Sequence, residues 1–413
     1  MILYTFLIWI AQLLYRIVAF FHPKARLFVS GRANLFKRLN LALSENKNTI
    51  IWIHCASLGE FEQGRPIIES FKKQDPSIKI LLTFFSPSGY EVRKNYALAD
   101  YIFYLPWDTA QNAKRFIQIT KPSLAIFIKY EFWYNYTYQL KKKNIPIISA
   151  SSIFRPDQVF FKWYGLFFRN MLKQFTHFFV QNTQSSELLK NIGITQTTVA
   201  GDTRFDRVFE IAQHAAELEI VKKFKSHENI FVVGSLWPED LEVLAPFINE
   251  HRQSLKFILA PHEISEPFIT QIEQSMSAKT VRYSRATENI ENYSVLIIDN
   301  IGMLSKLYRY GEFAYIGGAF GKGLHNILEA ACYGVPIFFG NKNYQKFLEA
   351  KDLVIRGGAF AVENHTDLKK NFELLNNNPE NFSLACEVTR SYVKENLGAT
   401  SKIISFCKTI LSS

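Results

Sequence analysis

The chain has 413 residues, 48% of them hydrophobic, with a net charge of +11. This length exceeds one compact core and suits two domains, and the apolar content excludes a disordered chain. Four scattered cysteines (Cys55, Cys332, Cys386, Cys407) offer neither a disulfide framework nor zinc-ligand spacing, which fits a reducing compartment.

The charge is uneven. Residues 1–200 hold 25 Lys and Arg against 11 Asp and Glu, and the remainder holds 23 against 26. A basic first half faces something anionic: nucleic acid, a membrane surface or an acidic substrate. The N-terminus favours the membrane. Met1 to Phe21 is almost wholly apolar, interrupted only by Gln12 and Arg16, and is long enough for a bilayer core of about 30 Å. Lys24, Arg26, Arg32, Lys37 and Arg38 follow; the positive-inside rule then keeps the body of the protein on the cytoplasmic side, and these cations attract anionic headgroups. A membrane-anchoring helix over residues 1–22, spanning the bilayer or lying in its interface, is the expectation. A cleaved signal is not, since no basic residue precedes the run and no small-residue cleavage site follows it.

Beyond the anchor, apolar strand-like runs alternate with helical patterns. The runs are Ile50–His54, Ile80–Phe84, Tyr101–Leu105, Leu124–Ile128, Ile145–Ser149, Phe178–Gln181 and Thr197–Ala200. Segments such as Glu60–Lys73 and Thr109–Ile119 between them carry helical spacing, the signature of βαβ units and a parallel sheet. A charged helical stretch, Asp206–Lys225, precedes a second series: Ile230–Val233, Lys256–Leu259, Lys279–Arg282, Val295–Ile298, Phe313–Ile316, Pro336–Phe339 and Gly358–Val362. The expected organisation is an anchor over residues 1–22, a Rossmann-like domain over 23–204, a linker over 205–228 and a second Rossmann-like domain over 229–413 with closing helices. Two such domains face each other across a cleft in the α/β architecture called GT-B, which hosts many activities.

Two stretches carry chemistry. Ser57-Leu58-Gly59-Glu60 lies between the first strand and its helix, at the edge where open α/β sheets place their sites. Its Ser-x-x-Glu spacing is also that of a capping box, in which the hydroxyl and the carboxylate only satisfy free helix N–H groups. The second stretch is Gly317-Gly318-Ala319-Phe320-Gly321-Lys322-Gly323, followed by Leu324-His325-Asn326-Ile327-Leu328-Glu329. It is neither a Walker A loop, since Gly323 stands where Ser or Thr should be, nor a dinucleotide fingerprint. Its glycines let backbone approach a ligand, the helix expected beyond offers N–H groups to a phosphate, and Glu329 suits a ribose diol.

Gly-Gly, a short gap, Gly-x-His-Asn-x-x-Glu and Gly-x-Pro (Gly334 to Pro336), together with Ser57–Glu60, resemble the 3-deoxy-D-manno-octulosonic acid (Kdo) transferases of lipopolysaccharide synthesis. The resemblance covers nearly the whole chain. Thr83 through Pro87-Ser88-Gly89, Leu105-Pro106-Trp107-Asp108, Glu131-Phe132-Trp133-Tyr134-Asn135 and Gly201-Asp202-Thr203-Arg204-Phe205-Asp206 match further family motifs in order. The resemblance implies a GT-B enzyme that passes Kdo from CMP-Kdo to the lipid A precursor (lipid IVA) by an inverting, metal-independent displacement. It implies Glu60 as general base and Glu131 and Arg204 as transition-state supports. It also implies that Pro261, His262, Gly302, Met303, Leu304, Asn326, Ile327, Leu328 and Glu329 hold the CMP moiety, and it places the enzyme on the cytoplasmic side of the inner membrane. No cofactor, metal or nucleic-acid partner is implied. Two departures stand out: Arg204 replaces a usual Lys, and His262 directly follows Pro261 where the family commonly has Arg, so one cationic donor contact is either missing or supplied by another residue.

The remaining candidates read as structural. His54 and His177 fit core or capping positions, the nine histidines lack metal-ligand spacing, and the aromatic run Phe160–Phe168 fits a core helix better than a lipid-binding stripe. Two competing functions are a membrane glycosyltransferase using a UDP-sugar and a catalytically dead nucleotide-sugar or lipid-binding module.

Overall fold

The computed structural model describes residues 2–412. The chain divides into two compact units, one running to Asp206 and resuming at Leu397, the other spanning Arg207–Asn396. In the first unit seven strands form one parallel sheet: β1 (Ile50–Cys55), β2 (Lys79–Phe84), β3 (Tyr101–Tyr104), β4 (Leu124–Ile128), β5 (Ile147–Ser152), β6 (His177–Val180) and β7 (Thr197–Val199). Their order is β3-β2-β1-β4-β5-β6-β7. Every residue of β1 is buried. Ile50 and Trp52 pack into one core layer with Leu81 and Phe127, while Ile51 and Ile53 pack into another with Leu82 and Ile126. A strand covered on both faces has no polar side to show, which explains the unbroken apolar run.

The second unit repeats the plan with β8 (Ile230–Leu236), β9 (Lys256–Pro261), β10 (Thr280–Arg282), β11 (Val295–Ile297), β12 (Phe313–Ile316), β13 (Ile337–Gly340) and β14 (Ala359–Val362). This sheet is also parallel, in the order β10-β11-β9-β8-β12-β13-β14. Each strand expected from the sequence is present, with ends displaced by a few residues. The strand order switches direction between β1 and β4 in the first sheet and between β8 and β12 in the second, where β11 also returns to lie between β10 and β9. The loops leaving those strands are where an open parallel sheet accepts a ligand.

Three expectations change. The stretch 205–228 is largely helical, as its pattern indicates, with helices Thr203–Gln213 and Glu219–Lys225, but from Arg207 on it is part of the second unit instead of a linker. The last helix, Ala399–Ser412, packs into the first unit, where Ala399, Ile403, Ile404 and Cys407 join the core layer of Ile51 and Ile53. Asp206 fixes its start by accepting bonds from the Gly398 and Thr400 N–H groups at 2.6 and 2.7 Å, the usual service of a carboxylate at a helix N-terminus.

The spanning anchor is the third. The first helix, Ile2–Val18, has 17 residues, or roughly 26 Å at 1.5 Å per residue, and no helix among the described residues is long and apolar enough to cross a membrane. Met1 lies outside the described residues. The helix docks on its own unit: the Tyr4 hydroxyl donates to Asp108 at 2.5 Å, and the Tyr15 ring meets Phe28 and Trp107 at centroid distances of 4.6 and 5.5 Å. Burial pushes the Asp108 carboxyl up to about 6, although Tyr4 and the Asn135 and Tyr136 N–H groups all donate to it. Arg32 is not a headgroup cation either. Its guanidinium lies 3.7 Å from the Phe28 ring centre and donates to the carbonyls of Phe28, Phe85 and Leu105; burial pulls its pKa down to about 9.

Candidate active site

In the first unit the loops leaving β1 and β4 carry the acidic residues. Glu60 stands in the first turn of the helix Leu58–Gln74, where the dipole favours a carboxylate. The capping box does not form: the Ser57 side chain makes no bond to the helix backbone and its hydroxyl donates to Glu60 Oε2 instead. The other oxygen, Oε1, faces Lys129 Nζ at 3.9 Å, and the Glu60 side chain remains 16% exposed. Ser57 therefore orients the carboxylate and leaves it open to a ligand. Beneath it, burial pushes the Cys55 thiol up, and Glu60 and Glu131 add to the effect, so this cysteine is a buried spacer and no nucleophile.

Glu131 follows β4. Its Oε2 accepts from Trp133 Nε1 at 3.0 Å and lies 3.8 Å from His54 Nε2. His54, wholly buried on β1, meets Thr83 Oγ1 through Nδ1 at 2.9 Å, and the same hydroxyl oxygen accepts from Trp52 Nε1 at 2.8 Å. The other ring nitrogen, Nε2, faces Glu131 at a distance beyond hydrogen-bond reach. The sequence reading of His54 as a core residue thus missed its place behind Glu131. The one available signal was its position near the end of the strand beside the switch point. His177 is structural: its Nε2 meets Thr198 Oγ1 at 2.9 Å and its ring lies against Phe406.

Arg204 begins the helix Thr203–Gln213 and turns its fork inward, with Nε and Nη2 donating to Asp202 Oδ2 at 3.0 and 2.8 Å. Burial alone would raise the Asp202 carboxyl; the Arg204 guanidinium and its hydrogen bonds outweigh this and hold it below the usual range. Gln63, one turn beyond Glu60, donates to Asp202 at 2.8 Å, and its carbonyl accepts from the Thr203 hydroxyl at 2.6 Å. The Glu60 helix and the Arg204 segment are thereby tied together.

In the second unit the candidate residues leave β9, β11 and β12. Pro261 closes β9, and the His262 ring lies 4.3 Å from both Trp237 and His325. Trp237 Nε1 donates to His325 Nε2 at 3.0 Å, and Lys322 Nζ sits 4.4 Å from the Trp237 ring centre. Burial lowers the His325 pKa to about 4, with His262 adding to the effect; burial, then Lys322, also lowers that of His262. Both imidazoles are neutral at neutral pH, so His262 brings no cation to the place of the family's Arg. Gly302, at φ +94, precedes Met303 and the one-turn helix Leu304–Leu307.

The glycine loop is pinned from below. Gly317 N–H donates to the Gly234 carbonyl at 2.9 Å and Gly318 N–H to Asp240 Oδ2 at 2.8 Å, while a Cβ at Gly317 would collide with the Ser235 carbonyl. Asp240 also accepts from Trp237 N–H at 3.1 Å and the Tyr315 hydroxyl at 3.0 Å, and burial pushes its carboxyl up to about 6. The helix expected after the loop is reduced to the single turn Leu328–Ala331. The Asn326 side chain intervenes, accepting from Leu328 N–H at 3.3 Å and donating to Glu329 Oε1 at 3.0 Å. The polar groups here are side chains and glycine backbone, without the extended helix terminus. Among the described residues no cluster of three His, Cys, Asp or Glu side chains is arranged to hold a metal ion.

Comparison with known proteins narrows the class. Residues 33–207 match the family described as 3-deoxy-D-manno-octulosonic-acid transferase (kdotransferase). The chain is 29% identical over 331 residues to the 3-deoxy-D-manno-octulosonic acid transferase of Aquifex aeolicus, covering 78% of this chain and 85% of that one. It is 26% identical over 395 residues to the enzyme of the same name from Chlamydophila psittaci, covering 92% and 88%. Among solved structures, UDP-GlcNAc 2-epimerase from Neisseria meningitidis superposes with a TM-score of 0.62 at 13% identity, covering 88% of this chain and all of that one, a likeness of fold alone.

Two parallel-sheet α/β units of GT-B-like fold, with acidic residues at one switch point and a glycine loop at the other, here belong to an enzyme, a glycosyltransferase. Within that class, residues 33–207 match the Kdo transferase family, and the chain is similar to Kdo transferases along most of its length.

Proposed function

We propose that the chain transfers Kdo from CMP-Kdo to a hydroxyl of lipid IVA, the phosphorylated and acylated diglucosamine precursor of lipid A, with inversion and in a single displacement. An alcohol is a poor nucleophile, so a carboxylate must take its proton as the bond to the anomeric carbon forms. Glu60 is that base. The observation carrying this reading is that its carboxylate, at the edge of the β1–β4 switch, is oriented by a side chain and stays open to solvent instead of closing a helix cap. Glu131, backed by Trp133 and His54, supports the positive charge that develops on the sugar, and Arg204, aligned by Asp202, the negative charge that leaves with the phosphate. The second unit holds CMP through Pro261-His262, Gly302-Met303-Leu304 and Asn326-Ile327-Leu328-Glu329, with the leaving phosphate near the glycine loop. The reaction as written needs no metal and no cofactor.

A nucleotide test separates this reading from a UDP-sugar transferase. CMP at a hundred times its Kd should stabilise the chain by about 2.7 kcal/mol, read as a rise in Tm, with UDP at the same concentration giving none; the reverse order would favour the UDP-sugar enzyme.

The acceptor is a membrane lipid, and we place the enzyme on the cytoplasmic face of the inner membrane, its first helix lying in the interface. The helix Ile2–Val18 exposes Phe6, Trp9, Leu13 and Ile17, and Phe20 and Phe21 beyond it are 77% and 85% exposed. Such a surface suits the headgroup boundary. Replacing Phe20 and Phe21 with Asp should weaken cosedimentation with anionic phospholipid vesicles at least several-fold, and unchanged cosedimentation would remove this placement.

A further inference from the structure

Lys129 stands between β4 and Glu131 and turns its ammonium toward Glu60. Its backbone is left-handed at φ +61, a conformation that Cβ-bearing residues avoid. It is held there from three sides: its N–H donates to the Ala150 carbonyl at 2.9 Å, and its own carbonyl accepts from the Ser149 and Ser152 hydroxyls at 3.1 and 2.9 Å. Both serines are wholly buried on β5. Polar side chains in a buried strand, spent on one carbonyl, fix an unfavourable turn whose result is an ammonium 3.9 Å from Glu60 Oε1. That separation allows ionic attraction but exceeds a hydrogen bond, so the three ammonium donors remain available to a second anion.

We infer that Lys129 is a specificity residue that pairs with the carboxylate of the sugar being transferred. The inference rests on the reading of Glu60 as base toward a Kdo donor. In a 2-ulosonic acid the carboxylate is attached directly to the anomeric carbon. The base must lie beside the hydroxyl that attacks this carbon, so the carboxylate arrives within a few ångströms of Glu60 and meets its like charge. A cation is required at that place, and Lys129 is there. A neutral sugar carries hydrogen at the corresponding position and makes no such demand, so the ammonium selects an acidic sugar over a neutral one.

The test uses the full chain with steady-state transfer to the lipid acceptor. Lys129→Met should raise KM for CMP-Kdo at least tenfold while leaving the Kd for CMP, which has no carboxylate, and the KM for the acceptor within twofold. Lys129→Arg should recover most of the loss. A donor bearing a carboxamide in place of the carboxylate should lose a similar factor with the unaltered enzyme and little more with Lys129→Met. An unchanged donor KM overturns the inference, as does a rise confined to the acceptor KM, which would assign the ammonium to the acceptor's phosphates, and so does an equal loss of CMP affinity. An unaltered chain that transfers no Kdo removes the functional reading and this inference with it. An active chain with Glu60→Gln dead and donor KM unmoved in Lys129→Met removes this inference alone.

Discussion

Glu60→Gln is expected to lower kcat by about a hundred- to ten-thousand-fold, the range a positioned general base contributes. The amide preserves the shape of the side chain and can still accept from the Ser57 hydroxyl, but it cannot take a proton from the acceptor. CMP binding involves residues of the other unit and should be unaltered. Stability should move by no more than about 0.5 kcal/mol, the usual scale for a partly exposed side chain. The cap reading gives the opposite pattern: about 1 kcal/mol of lost stability with turnover unchanged. Steady-state kinetics and urea unfolding on the same preparation separate the two, and near-normal turnover would reduce Glu60 to a structural residue.

Asp240→Ala should be the most damaging single change to the second unit. The carboxylate accepts from Gly318 N–H, Trp237 N–H and the Tyr315 hydroxyl. Its removal leaves three donors short of an acceptor in a place closed to water, at about 1–3 kcal/mol each. A loss of about 3–5 kcal/mol by urea unfolding is expected, with at least tenfold weaker CMP binding, because the Gly317–Gly323 loop loses its anchor. The pH dependence has a definite sign. Burial holds this carboxyl at about 6, above the roughly 3.9 of an unfolded chain. Its contribution to stability is therefore fully present below about pH 4 and is lost as pH rises through 6, by about 3 kcal/mol in all. Unaltered protein minus Asp240→Asn, compared at the two ends of that window, isolates the effect; a difference independent of pH would contradict it.

Much of the architecture was legible because β-branched and aromatic runs buried on both faces leave few alternatives. Leu124–Ile128 and Phe313–Ile316 form strands with the bounds read from the sequence. Pairings across long stretches of chain were not legible. Nothing local in Ala399–Ser412 says which unit its apolar face will meet, and Asp206, which fixes its start, lies nearly two hundred residues away. The apolar N-terminus could not be told from a spanning helix, because the Tyr4–Asp108 bond that docks it joins distant residues. At the site, the Ser-x-x-Glu spacing left Ser57 and Glu60 free to cap the helix or to bind each other, and they bind each other. His54, Trp237 and Lys129 escaped for a related reason: each acquires its place from a neighbouring strand or loop brought alongside by the fold. The helix after the glycine loop was overread because Asn326 competes for the Leu328 N–H, a side-chain contest that periodicity does not reveal.

The most direct test of the functional account is the mass of the lipid recovered after incubating the chain with lipid IVA and a system that generates CMP-Kdo. The account predicts acceptor shifted by one or more whole Kdo residues, with CMP released in equal number. Unmodified acceptor from a folded, CMP-binding chain, or an adduct formed from a UDP-sugar instead, would contradict it.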